Sequence, residues 1–424
     1  MKENSTPLKT IDEKLFEKKF EKLDLNSLKE IESLYHYDLF DDFLPFMEKY
    51  VIDREYGGFM CNTERDGTNL SGTKTAWYEG RGTWIYSYLY NNLDKKPFNL
   101  ETAKKSAEFI LQNKPSGNDF WVATFSKEGK PIDNMGNIYG NLFIAEGIQE
   151  LSLTPGNEKY WDIAKELVLK CMKVYDSSEY NYRVEYLNDK APELKAPRVL
   201  GHWMVFLSVS TQMLKKRNDP EIAEINSRCI DAIMKSHFNP EFNLNIEAIN
   251  HDLTMTNDDW AQFSYTGHAI ETLWMVMSEA LRRKDKNLFN TASERFIRHV
   301  EIAWDDIYGG AFRSLDNVDK DIWKVDKVLW LQAEVLIGTL MIYEHTGSKW
   351  AEEWFLKMYN YVRKNYPMKK YGYHLWINSS GRKIIFEPHY NRIDHYHNPR
   401  HLMINIQCLE RIIVRNGKPS GIFG

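Results

Sequence analysis

The chain has little that would tie it to an oxidising compartment, a bilayer or a nucleic acid. Its 424 residues include four cysteines, Cys61, Cys171, Cys229 and Cys408. They are scattered without CxxC spacing, which argues against a thiolate zinc site and against a disulfide framework. No apolar run reaches the roughly eighteen residues of a spanning helix. Charge of neither sign dominates: 55 Lys and Arg stand against 60 Asp and Glu, net −5 and dispersed, so no basic face for nucleic acid is expected. The opening MKENSTPLKTIDEKLFEKKFEKLD lacks the apolar core of a secretory signal, so a cytoplasmic location is expected. What is abundant is aromatic. The 13 Trp, 24 Tyr and 21 Phe either fill a large core or line a cleft for flat, half-apolar ligands.

A repeat organises the rest. Six stretches read as small β-hairpins: FMCNTERDG from Phe59, WVATFSKEG from Trp121, YRVEYLND from Tyr182, LNIEAINHD from Leu244, FRSLDN from Phe312 and LWINSSG from Leu375. Their starts recur every 61–68 residues. Between them lie stretches with helical periodicity and a central turn, as in YGNLFIAEGIQEL, Thr-Pro-Gly, EKYWDIAKELVLKCMKVY. Each unit is therefore an αα-hairpin closed by a β-ribbon. Six such units close into an all-α (α/α)6 barrel, or stack as an open solenoid. An echo between halves favours closure. Asp53-x3-Gly57-Gly58-Phe59 returns as Asp305-x3-Gly309-Gly310 with an Ala before Phe312. Lys74-x2-Trp77-x3-Arg81 returns as Lys327-x2-Trp330-x3-Glu334, offset by 253. The expected organisation is a charged helical arm over residues 1–30, the barrel over 31–414 and a tail over 415–424.

The repeat also acts as a ruler. Arg81, His202, His268, Glu334 and His397 fall 20–24 residues after their hairpin starts, so five ionisable side chains should meet near one level of the ring. In GHAIETLWMVMSEAL, Ile270, Leu273, Trp274, Met277 and Leu281 form a packed stripe, with His268 and Glu271 on an adjoining face of the first turn. A helix N-terminus disfavours the imidazolium and a carboxylate favours it, which leaves a proton-exchanging imidazole. A core histidine beside a capping glutamate fits the same letters. In HYHNPRHLMINIQCLERII, Asn398 suits an N-cap and Pro399 the first helical position, which puts His397 on the rim and Arg400 in the first turn. His395, His397 and His401 crowd together, but Pro399 breaks the register of a paired-histidine site and no nearby carboxylate pair completes one, so no metal is expected. Lys74, Trp77, Arg81, Trp84 and Tyr88 share one helix face; Arg81 is either a stacked structural cation or an anion clamp. His202, in GHWMVFL, fits a core position equally well.

Two histidines from opposed units, a fixed cation and a carboxylate, without a metal or nucleophile motif, suit proton abstraction next to a carbonyl. In an open-chain aldose that proton is C2–H. Its return to C2 from the other face is 2-epimerisation, and its return to C1 is aldose–ketose isomerisation. At this point the segments DREYGGF, KTAWYEGRGTWIYSYLY, GHAIETLWMVMSEA, GGAF, KVLWLQAE and YHNPRHLM resemble the N-acylglucosamine 2-epimerase family, with its cellobiose 2-epimerase and sugar isomerase relatives. The resemblance runs from about residue 50 to 410. It implies an (α/α)6 barrel acting at sugar C2 without a metal or redox cofactor. It also implies His268 and His397 as the acid/base pair and Arg81 as the enediolate-binding cation. His202 and Glu271 would be further site residues, and Trp77, Glu334, Arg400, Lys74 and Trp330 would contact substrate. Two departures matter. The family's usual Gln is Glu79 here, expected to alter hydroxyl contacts. The Gly/Lys-rich loop of ATP-responsive members is replaced by EPHYNRIDHYH, so ATP dependence is not expected. N-acyl-D-glucosamine/N-acyl-D-mannosamine interconversion is the expected reaction, with neutral sugars such as mannose or cellobiose as alternatives. A glycoside hydrolase using Glu271 and Glu334, and a non-catalytic interaction protein, are the rival classes. A homodimer fits the aromatic surface.

Overall fold

The segment from Leu25 to Val51 is one unbroken helical run, so the arm boundary expected at residue 30 falls inside a helix. The computed structural model describes residues 13–115, 119–133, 136–182, 194–374 and 392–423. Asp24 caps α1 (Leu25–Tyr37) by accepting from the backbone N–H of Asn26 and Ser27, and π-type turns carry the helix on to Val51. Leu28, Ile31, Leu34, Leu39 and Phe43 recur at helical spacing and are fully buried, so one continuous apolar stripe holds the run down.

Eleven further long helices follow among the described residues: α2 (Ala76–Asn92), α3 (Pro97–Gln112), α4 (Ile138–Leu151), α5 (Lys159–Tyr175), α6 (Leu200–Lys216), α7 (Pro220–Asp231), α8 (Thr266–Arg283), α9 (Lys286–Ala303), α10 (Leu329–Thr346), α11 (Lys349–Asn365) and α12 (His397–Val414). The even-numbered helices form the inner ring. Each packs on the next, and α12 returns to α2. Each odd-numbered helix covers an inner one, with α1 on α12 closing the sixth pair. This is the expected (α/α)6 barrel, and the closing contacts dispose of the open solenoid. The composition of the rings follows from their position. Inner α4 is buried along its whole length, whereas outer α9 and α11 bury one stripe only.

The hairpins are only partly as expected. Ser314–Asn317 pairs with Ile322–Lys324 in a true hairpin. The stretches from Phe59 and Trp121 close through single bridges, Thr63 to Asn69 and Phe125 to Pro131. The stretch from Leu244 does not fold on itself. Leu244–Asn245 pairs back with Phe238–Asn239, and Ala248–Ile249 crosses to Arg198–Val199, tying α6 to the loop before α8. The ribbons therefore link neighbouring units more than they close their own. The stretch from Leu375 and all of the Tyr182 stretch after its first residue lie outside the described residues.

Candidate active site

His397 opens α12 and is buried. The helix starts there rather than at Asn398, with Tyr396 at the N-cap position, and Asp394 Oδ1 accepts from the backbone N–H of His397 (3.0 Å). The same carboxylate accepts a hydrogen bond from the ring, with His397 Nδ1 at 3.2 and 3.3 Å from the two Asp394 oxygens. Nδ1–H is thereby fixed, and Nε2 becomes the proton-exchanging nitrogen. Burial lowers the His397 imidazolium below its usual range, with Arg81 adding to the effect and Asp394 opposing it. Burial pushes the Asp394 carboxyl up, but His397, Arg392 and Arg81 together hold it well below the usual carboxylate range.

His268 lies in the first turn of α8 and is backed in the same way. Its Nδ1 donates to Glu247 Oε1 at 3.0 Å, and that carboxylate, fully buried, comes from the ribbon before α8. The partner expected from the sequence was Glu271, which is engaged elsewhere. Trp330 lies against both histidines: its ring centroid is 5.5 Å from that of His397 and 6.0 Å from that of His268. Two glycines make this approach possible. A Cβ on Gly267 would come within 2.3 Å of the Trp330 ring, and one on Gly201 within 3.1 Å of His268.

Arg81, in the second turn of α2, lies over three rings: Phe143 at 4.1 Å, Tyr396 at 4.4 Å and Trp77 at 5.0 Å. Burial lowers the guanidinium to about 10, and its Nε has no hydrogen-bond partner among the described residues. A buried cation held by ring faces, with a donor unspent, is suited to meet an oxyanion. Trp77 itself stacks on Tyr139 and Phe143 and is half-buried.

Below the histidines lies an ionic clamp. Arg400 Nη2 donates to Glu271 Oε1 (2.5 Å) and to Glu334 Oε1 (2.7 Å), while Trp274 Nε1 donates to Glu334 Oε2 (2.6 Å). Burial raises both carboxyls. Arg400, His397 and His268 offset it at Glu271 and hold that group below its usual range. Glu334, facing the Glu271 charge as well, is pushed up to about 8. Glu271, Glu334 and His397 each offer a ligand atom within 4.8 Å of one another. A carboxylate pair does therefore stand near His397, contrary to the sequence expectation, although Arg400 already occupies it. His395 and His401 turn away: His395 Nε2 donates to the Tyr78 carbonyl, and His401 Nδ1 to that of Asn398.

His202 is fully buried beside this group, with Tyr180 Oη at 3.0 Å from its Nε2 and the rings of Tyr139 and Tyr175 against it. Burial, with Arg198 and His268 nearby, holds it well below the usual histidine range. Lys74 does not belong with the others. Its ammonium is fully buried and donates to Asp53 Oδ2 (2.8 Å) and to the carbonyls of Gly57 (2.6 Å) and Lys127 (2.8 Å), so its three protons are spent inside the protein. Glu79 likewise contacts no site group. It accepts from Phe59 N–H and Ser106 Oγ, each at 2.9 Å. Glu247 and Asp394 are the groups the sequence reading missed. Asp394 carried a usable signal, three residues before His397.

A family model described as N-acylglucosamine 2-epimerase (GlcNAc 2-epimerase) matches residues 57–398. The chain belongs to that family. It is an enzyme of the carbohydrate epimerase and isomerase class. It is 23% identical over 363 residues to N-acylglucosamine 2-epimerase of Mus musculus, covering 81% of this chain and 84% of that one. It is 24% identical over 343 residues to cellobiose 2-epimerase of Dictyoglomus turgidum, covering 75% and 82%. In fold, it superposes on cellobiose 2-epimerase from Spirochaeta thermophila with a TM-score of 0.76 at 17% identity, over 91% of this chain and 98% of that one. A D-mannose isomerase structure gives 0.70 at 15% identity, over 93% and 98%. Among the described residues no helix is long and apolar enough to cross a membrane.

Proposed function

We propose that this sugar 2-epimerase inverts C2 of an open-chain N-acylhexosamine, interconverting N-acyl-D-glucosamine and N-acyl-D-mannosamine. The observation that carries the reading is the pair of carboxylate-backed imidazoles, Asp394–His397 and Glu247–His268, both gathered against the Trp330 ring. One Nε2 takes the C2 proton, and the bond's electron pair becomes the C1–C2 double bond while the carbonyl charge moves to O1. Arg81 meets that charge. The imidazolium on the opposite face returns a proton to C2, and the configuration is inverted with no net redox change. Each positioned acid or base contributes about 10²–10⁴ in rate. His202 and the Arg400 clamp stand beside the two histidines and complete the polar surroundings.

The clamp also weighs against hydrolysis. A glycosidase needs two carboxyl groups flanking a bond, whereas Glu271 and Glu334 bind the same guanidinium nitrogen. Cellobiose 2-epimerases at 24–26% identity favour a neutral-sugar epimerase as the second reading. The enzyme is proposed to be cytoplasmic and homodimeric, the adjacent exposed Ile307 and Tyr308 supporting the latter. Incubation with N-acetylmannosamine, mannose, cellobiose and fructose, with products identified by NMR, tests the substrate. N-acetylglucosamine should form fastest. Conversion confined to cellobiose or mannose would overturn the N-acyl assignment, and a ketose as sole product would overturn epimerisation.

A further inference from the structure

The histidines sit at the N-terminal ends of α8 and α12. At the other end of the inner ring lies a separate cavity of about 400 Å³, lined by the later turns of the inner helices. Arg400 and Trp274 line it too, so the ionic clamp is the partition between this cavity and the histidines. One wall is aromatic. Trp84 and Tyr88 stack with centroids 4.8 Å apart, and both polar edges are tied down, Trp84 Nε1 to Gln212 Oε1 and Tyr88 Oη to Gln407 Oε1, each at 2.6 Å. That wall is fixed before any ligand arrives.

Charge in the cavity is mixed, with the buried Glu150 and Glu344 carboxylates lining it among five cations, Arg282, Arg400, Arg411, Lys215 and Lys216. Three lining arginines already hold carboxylates: Arg282 with Glu279, Arg400 with Glu271 and Glu334, and Arg411 with Glu344. Lys215 and Lys216 also line it, and neither makes an ion pair among the described residues; Lys215 Nζ reaches only Ser278 Oγ, at 3.1 Å. Ser208, Thr211 and Gln212 add hydroxyl and amide groups to the lining. A fixed aromatic face, hydroxyl and amide groups and an unpaired ammonium together recognise a sugar ring bearing an anion.

We propose that this far cavity is a second, regulatory ligand site for a monosaccharide carrying a phosphate or carboxylate. The ring stacks on Trp84 and Tyr88, the anion meets Lys215, and the occupant presses on Arg400 from the side opposite the histidines. The inference does not rest on the substrate assignment, because its primary readout is binding. Calorimetric titration of the full chain with glucose 6-phosphate and with glucuronate should show one saturable site, and the tighter of the two identifies the anion. Glucose and inorganic phosphate should each bind at least tenfold more weakly. Lys215→Met and the cavity-filling Thr211→Trp should each weaken binding at least tenfold, while His397→Ala leaves it unchanged. Saturating ligand should change wild-type turnover at least twofold and leave Lys215→Met unaffected. No binding to the wild type, equal binding to Lys215→Met, loss of binding in His397→Ala, or binding without a change in turnover would each overturn the proposal.

Discussion

In the first half of the chain, Lys74 joins Asp53 to the carbonyl of Gly57; 253 residues later Lys327 joins Asp305 to the carbonyl of Gly309. Five residues beyond each lysine, Glu79 accepts the backbone N–H of Phe59 and Gln332 accepts that of Ala311 (2.9 and 2.8 Å). Two residues further on, the halves diverge: Arg81 lies bare against aromatic faces, and Glu334 is locked to Arg400. The bracket fixes where each inner helix starts, so it is duplicated. The next inward-facing position is chemistry, and there the two halves carry opposite charge. Repetition marks the scaffold, and departure from it marks the site.

The divergent pair should separate most widely. Arg81→Gln removes the cation proposed for the enediolate and should lower kcat about 10²–10³-fold with the fold intact by circular dichroism. Glu334→Gln should cost about tenfold or less, since the amide still accepts from Arg400, which keeps its ion pair with Glu271. Equal losses would mean the halves contribute alike and would undo the contrast.

The duplicated bracket makes a second, smaller prediction. Lys74 and Asp53 are shielded almost completely (0% and 2% exposed), whereas Lys327 and Asp305 keep 17% and 10%. Lys74→Ala strands a buried carboxylate and should cost about 3–5 kcal/mol in urea unfolding. Lys327→Ala should cost about 1–2 kcal/mol, because water can reach the orphaned Asp305. The same comparison indicates that Lys74→Ala acts through stability, leaving KM of the folded fraction unchanged.

The smallest effect concerns Glu79. Burial raises its carboxyl to about 7 from an ordinary 4.5. A group raised in the folded state contributes fully below its unfolded value, and that contribution is lost as pH climbs from about 4.5 to about 7. Glu79→Gln, which restores the likeness to Gln332, should flatten that slope. Above pH 7 it should stabilise the protein by on the order of 1–3 kcal/mol. A pH–stability curve unchanged by the substitution would show that Glu79 is not the titrating group.

Much of this was legible because inner helices repeat a register. Arg81, His202, His268, Glu334 and His397 were placed at one level by spacing, and the structure gathers them with Glu271, Arg400 and Trp330. Lys74 was misplaced because helical spacing was extended through a residue that precedes the helix: α2 begins at Ala76, and Lys74 lies in a strand paired with Phe125. Glu247 was missed because its stretch read as a self-closed hairpin, and the crossing of Ala248–Ile249 to Arg198–Val199 is a long-range pairing that local sequence does not encode. Asp394 lay in the shadow of Asn398, an equally good N-cap by residue type, because Pro399 made the later start look right. The N-terminal helix was cut short because the charges before Leu25 mask the apolar stripe that starts at Leu28.

The central claim is that two opposed imidazoles exchange the C2 proton with solvent. Turnover of N-acetylmannosamine in D2O, followed by proton NMR, tests it directly. The account predicts an epimerised product carrying solvent deuterium at C2, with both its formation and the exchange abolished in the His268→Ala, His397→Ala double variant. Epimer that keeps its original C2 hydrogen would contradict it.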